Sequence, residues 1–79
     1  MQRKFPALSP KELIRVLHKL GVPSREGKGS HIIFYDPDDE RNACAVSRHR
    51  RSLSAHVVKE IAGWLESLGI SEEDFLDAL

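Results

Sequence analysis

The sequence predicts an α+β domain: a helix, three antiparallel strands, a second helix and a short extra helix at the C-terminal end. Three observations carry the prediction. Apolar residues recur at helical spacing in two separate stretches, each bounded by recognisable caps. Between them the pattern changes to β-branched and aromatic residues broken by turn chemistry, and strands joined by short turns must pair antiparallel. With 79 residues there is room for one small domain, so both helices have to pack on that single sheet.

Each element has its own justification. Ser9-Pro10-Lys11-Glu12 is a helix start, with Ser9 as cap, Pro10 in the first turn and Glu12 completing a capping box. Leu13, Ile14, Val16, Leu17 and Leu20 form the apolar stripe, leaving Lys11, Arg15, His18 and Lys19 mainly wet. Gly21 suits a left-handed cap and Pro23 prevents continuation. Ser24 to Gly27 is a short extended stretch, and Ser30 to Tyr35 has strand composition. Alternation places His31, Ile33 and Tyr35 on one face and Ile32 and Phe34 on the other; both faces carry apolar residues, so pattern alone does not say which meets the helices. Asp36-Pro37-Asp38-Asp39 is a turn, and Asn42 to Arg48 a return strand. A second helix follows Ser52 to Ser54 with the stripe Val57, Val58, Ile61, Ala62, Leu65 and Leu68, and Gly69 ends it. Ser71-Glu72-Glu73-Asp74 opens the third, which carries Phe75, Leu76 and Leu79.

Charge is balanced in total and unbalanced in place. Twelve Lys and Arg face twelve Asp and Glu, which removes the argument from a globally basic chain. Yet residues 1–35 hold seven basic and two acidic side chains, 36–40 four acids, 41–59 five bases and no acid, and 60–79 six acids with no Lys or Arg. This sorting is read either as a basic surface opposed by an acidic one or as solvated faces matched to helix dipoles. One cysteine, Cys44, excludes an internal disulfide framework and fits a reducing compartment. The apolar run Ile32 to Tyr35 is too short to span a membrane, and no apolar stretch follows the basic N-terminal residues, so no signal peptide is expected.

Histidine is the first candidate for chemistry because imidazole exchanges a proton near neutral pH. His18 and His56 lie on helices, where an exposed or core-edge histidine needs no function. His31 differs, since it follows Gly27-Lys28-Gly29-Ser30: glycines permit a tight turn whose N–H groups can cradle a phosphate, with Arg25 and Lys28 adding cations. The competing reading is an ordinary glycine-rich hairpin turn with solvated charges. Arg48-His49-Arg50-Arg51 is a compact basic cluster, equally open as a polyanion contact or a solvated loop. Gly27-Lys28 is followed by Gly29 and lacks the upstream glycine of a Walker loop. One cysteine and scattered histidines do not make a zinc site, no G-x-S-x-G elbow exists, and Cys44 reads as a small core residue.

The first helix ending in Gly21, then Arg25-Glu26-Gly27-Lys28-Gly29-Ser30-His31 and the strand to Phe34, together resemble the HicA-type toxins of toxin–antitoxin modules. The second half agrees: a strand ending near His49, a helix containing Ile61, and Gly69-Ile70-Ser71-Glu72-Glu73-Asp74-Phe75 at the close. The likeness runs from about Leu8 to Leu79. It departs at Val46-Ser47-Arg48-His49, where a proline is common before the second histidine, and at Ser54-Ala55-His56, where Gly-Thr is common. The resemblance implies a fold like that of double-stranded-RNA-binding domains and messenger-RNA endonuclease activity, and from the composition the protein is expected in the cytoplasm. The resemblance further implies neutralisation by a HicB-type antitoxin and an essential histidine at His31; cleavage is expected to need no cofactor or metal. On that expectation His31 moves a proton at the ribose 2′-hydroxyl, while the N–H groups of Gly29 and Ser30, with Lys28 and Arg25, stabilise charge at phosphorus. Arg48, His49 and Arg50 complete the expected phosphate contacts, with His49 also a candidate second proton carrier. The rival reading is a non-catalytic RNA-binding module on the same fold; a third is a partner-binding domain with an inert basic face.

Overall fold

The computed structural model describes residues 4–79; the basic start of the chain, where a signal peptide was not expected, lies partly outside the described residues. The element order is α1 (Pro10–Lys19), β1 (Ser24–Glu26), β2 (His31–Asp36), β3 (Asp39–Ser47), α2 (Ala55–Glu66) and α3 (Glu72–Asp77). This is the expected α-β-β-β-α arrangement with its extra helix, and the strands form one antiparallel sheet in the order β1-β2-β3.

Local chemistry sets the helix ends. The Ser9 hydroxyl accepts the Glu12 N–H at 3.2 Å, and the Glu12 carboxylate accepts the Ser9 N–H in return. At the other end Gly21 takes a φ of +83°, and the Val22 N–H reaches back to the Leu17 carbonyl at 3.1 Å. Ser54 and Ser71 cap α2 and α3 in the same way, and Glu72, Glu73 and Asp74 sit in the first turn of α3, where the helix dipole favours acids.

All three helices pack on one sheet face. Ile32, Phe34 and Val46 point into a core shared with Leu13, Leu17, Val58, Leu65 and Phe75. The largest fully buried side chains, Phe34, Phe75, Leu13, Leu17, Leu65 and Val58, each contribute about 1.5–3 kcal/mol of transfer free energy. Leu8 and Leu53 exchange backbone hydrogen bonds of 3.0 and 2.7 Å, tying the N-terminal segment to the connection before α2. Asn42 accepts the Trp64 indole N–H at 2.9 Å and donates to Ser67 at 3.0 Å, which fastens β3 to the end of α2.

The structure settles the face left open by pattern: Ile32 and Phe34 go inward, and His31, Ile33 and Tyr35 lie on the face without helices. β2 starts at His31, one residue later than composition suggests. β3 starts at Asp39 and ends at Ser47, against an expected span of Asn42 to Arg48. Pro37 and Asp38 suffice for the turn, because the Asp36 carboxylate accepts the Asp38 N–H at 2.8 Å and closes it locally. Asp39-Glu40-Arg41 carries no strand signal because all three are exposed.

Candidate active site

The β1–β2 connection is a tight turn with His31 at its end. Gly27 N–H donates to the His31 carbonyl at 2.9 Å, and His31 N–H to the Lys28 carbonyl at 3.3 Å. Gly29 occupies the first central position with φ +63° while Ser30 does not have positive φ, the pattern of a type II′ turn. Gly27 is needed for a different reason: a Cβ there would stand 2.9 Å from Cδ1 of Ile33 and 3.4 Å from Cβ of His31. The N–H groups of Lys28, Gly29 and Ser30 have no hydrogen-bond acceptor among the described residues. Consecutive free N–H groups beside a left-handed glycine form a concavity suited to an anion.

His31 is exposed and its tautomer is fixed. Nδ1 lies 3.0 Å from the Lys28 carbonyl oxygen, which can only accept, so Nδ1 carries the proton and donates it. In the neutral ring this leaves the lone pair on Nε2, which has no protein partner among the described residues. The strand register sets what lies beside it. His31 is opposite Ser47, and Arg25, Ile33 and Ala45 form the adjacent cross-strand row on the same face. Arg25 and Lys28 are exposed and make no ion pair among the described residues, so both cations are free.

The second segment arrives from the end of β3. Arg48 N–H donates to the Ser30 carbonyl at 3.0 Å, and Nε2 of His49 shares a 2.6 Å hydrogen bond with the Ser30 hydroxyl. His49 N–H in turn donates to the Ser47 hydroxyl at 3.3 Å. The structure therefore brings Lys28, Gly29, Ser30, His31, Arg48 and His49 together at one end of the sheet, with Arg25 on its open face. Arg48 is spoken for: its guanidinium makes a two-pronged pair with Glu26 at 2.8 and 3.0 Å. That hydrogen bond, and then the charge of Arg48, hold the Glu26 carboxyl below its ordinary range; the same hydrogen bond raises Arg48. Arg50 is exposed and has no partner among the described residues.

Sequence reasoning missed Glu26 as a partner for Arg48 and Ser47 as the register neighbour of His31. Glu26 precedes the turn as Arg48 follows β3, a pairing visible only once the register is known. The helical histidines stand apart from this group: His18 bonds Ser24 at 2.9 Å and packs on Phe34, and His56 pairs with Glu60 at 3.0 Å. Cys44 is half-buried on the helix side, where burial pushes its thiol up, as suits a packing residue. A depression lined by Glu66, Ile70, Glu72 and Glu73 lies on acidic residues that repel phosphate. No group of three or more His, Cys, Asp and Glu suited to a metal ion occurs among the described residues, and no helix there is long and apolar enough to cross a membrane.

Comparison with known proteins gives one match. A family model described as HicA toxin of bacterial toxin-antitoxin covers residues 10–70, which spans α1 through the end of α2 and includes the whole site. No curated protein and no solved structure matches.

Proposed function

The chain belongs to the HicA toxin family of bacterial toxin–antitoxin systems, and from that premise we propose that it is an endoribonuclease that cuts messenger RNA with His31 as its proton carrier. The observation that carries this reading is the Nδ1–H bond to the Lys28 carbonyl, which presents the Nε2 lone pair on an open face beside three free N–H groups. Nε2 takes the proton of a ribose 2′-hydroxyl, and the 2′-oxygen attacks the adjacent phosphorus. As the bond from phosphorus to the 5′-oxygen breaks, the imidazolium returns the proton to that oxygen. The products are a 2′,3′-cyclic phosphate and a 5′-hydroxyl end, with no metal taking part.

The N–H groups of Gly29 and Ser30 receive the charge that builds on the non-bridging oxygens, as preorganised donors do for other oxyanions. Lys28, Arg25 and Arg50 hold neighbouring phosphates. His49 acts on Ser30, holding the turn against the end of β3. Arg48 serves position more than binding, since Glu26 already occupies its guanidinium. A HicB-type antitoxin would silence the toxin by covering this face, with acidic groups against Arg25, Lys28 and Arg50.

The test is cleavage of a single-stranded messenger RNA by purified protein in EDTA, wild type beside His31→Ala. Wild type should give cyclic-phosphate ends, and the variant should be slower by at least about 10²-fold, the lower end of what proton transfer contributes. If neither protein cuts while both bind RNA in a salt-sensitive way, the nuclease reading gives way to a non-catalytic RNA-binding module.

A further inference from the structure

The helix-free face of the sheet carries an apolar strip that starts at His31 and ends in the chain's one tyrosine. Register places Arg25, Ile33 and Ala45 in the row next to His31, and Tyr35 opposite Ala43 in the row after that. The Tyr35 N–H donates to the Pro23 carbonyl at 3.1 Å, so proline flanks it on the β1 side. Ile33 and Tyr35 are half-buried and belong neither to the core nor to the residues packed against it, and Ala43 and Ala45 are exposed. The Tyr35 ring makes no aromatic or cation contact, and its hydroxyl no hydrogen bond, among the described residues. Small residues keep the strip low. Ala43 and Ala45 end at Cβ, and Gly27 has none, with Ile33 lying where one would stand. An aromatic ring without a partner, set among short side chains on an open antiparallel sheet, offers a plane to a flat ligand.

We propose that this strip takes the bases of single-stranded RNA, with Tyr35 stacking on the base of a nucleotide that flanks the cleaved bond. The proposal rests on the reading of His31 as the site of cleavage and adds to it a grip on the substrate outside the scissile phosphate. Two observations select RNA as the occupant. The strip is continuous with the free N–H groups and cations of the β1–β2 turn, where that reading already seats a phosphate. Between His31 and Tyr35 the face carries Arg25 and no acid, so a phosphate backbone can cross it. The acids Asp36, Asp38, Asp39 and Glu40 follow directly beyond Tyr35 and repel phosphate. Backbone charge is therefore held at the His31 end, and what reaches Tyr35 is a base. Tyr35 stands four residues along β2 from His31, about 13 Å away, so that base lies outside the bond being cut. Because every base has a face to stack, the contact adds affinity and places the strand more than it chooses a sequence.

The test uses the full chain carrying His31→Ala, so that RNA stays intact, and a labelled single-stranded RNA of about twelve nucleotides. Tyr35→Ala and Tyr35→Leu should each weaken binding about 5- to 100-fold, while Tyr35→Phe and Tyr35→Trp should stay within about threefold. None of the four should change the slope of log K against log salt, since a stacked base displaces no counterion. Loss of the cations' placement, by contrast, would flatten that slope. Tyr35→Leu keeps a branched apolar side chain in the strand, so it decides the matter even if Tyr35→Ala does not fold. Tyr35 is the one tyrosine, so its ring protons can be followed by NMR, and they should move upfield when RNA is added. RNA binding indifferent to Tyr35→Leu, or ring signals that do not move, overturns the proposal; His31 chemistry then stands and the strip is left to a protein partner. Weakening with a flatter slope overturns it too. No RNA binding even at low salt overturns the proposal together with the nuclease reading.

Discussion

Two glycines offer the same substitution with opposite expected signs. Gly29 sits in the β1–β2 turn at φ +63°, and a Cβ there meets no atom within 4 Å. Gly63 lies inside α2, and a Cβ there also meets nothing within 4 Å. Sterics with neighbours therefore drop out, and only backbone conformation remains. An L side chain in the left-handed region costs about 1–2 kcal/mol, of which about 0.4–1 is returned by the stiffer unfolded chain. The net is about 1 kcal/mol against folding, which for a domain of this size lowers Tm by about 4–8 °C. Gly63→Ala removes the helix penalty of glycine, about 0.8–1 kcal/mol, and should raise Tm by a similar interval. Gly29→Asn should fall between Gly29→Ala and wild type, because asparagine tolerates the left-handed region. Thermal unfolding followed by circular dichroism reads all three. If Gly29→Ala matches or exceeds wild type while Gly63→Ala behaves as stated, the turn does not depend on positive φ. The account of a turn that needs a glycine at residue 29 then fails with it.

The Glu26–Arg48 pair gives a pH dependence whose sign is fixed. Glu26 is held below its ordinary 4.5 in the folded chain, so its stabilisation is complete above that value and is lost as pH falls through the lower folded one. Wild type and Glu26→Gln should therefore differ in Tm at neutral pH and converge in acid; a gap that widens in acid contradicts the pairing. Phe34→Ala empties a fully buried ring position on the helix-facing side of β2 and should cost about 3–5 kcal/mol in urea unfolding. Ala43→Ser on the exposed face should stay within about 0.5 kcal/mol of wild type. The Cys44 thiol, pushed up by burial, should react with a thiol reagent more slowly in the native chain than in urea; equal rates would mean the helix side of β3 is open.

Most of the fold is legible because its signals are local. Ser9 with Glu12, and Gly21 after the stripe, mark both ends of α1 without reference to anything distant. The assembly of the site is not local. Counting back from the Asp36–Asp39 pair at the turn would set His31 against Cys44. A register shift between Tyr35 and Asp36 displaces β3, so that His31 meets Ser47 and His49 reaches Ser30. No residue in Asp39-Glu40-Arg41-Asn42 announces that shift, since charged and polar residues suit an ordinary exposed strand equally well. His31 and its glycine turn could be singled out from sequence, whereas the Ser30–His49 link and the capture of Arg48 by Glu26 could not. The same limit applies to the charge pattern. Segment sums suggested a basic surface, but the structure shows which cations on it remain free.

That distinction has a measurable consequence under the nuclease reading. Each phosphate neutralised on a single strand contributes about −0.7 to the slope of log K against log salt. Arg25, Lys28 and Arg50 make no ion pair among the described residues, so RNA binding by the His31→Ala protein should show a slope of about −2; with Arg48 added it would be about −3. Arg25→Ala should reduce the slope by about 0.7, while Arg48→Ala should leave it nearly unchanged, because that guanidinium already faces a carboxylate at 2.8 Å. Glu26→Gln releases Arg48 and should steepen the slope toward the larger value. A slope that drops as much for Arg48→Ala as for Arg25→Ala would mean that RNA opens the ion pair. Glu26 would then be a gate on the fourth cation and not a fixed brace between β1 and the segment after β3.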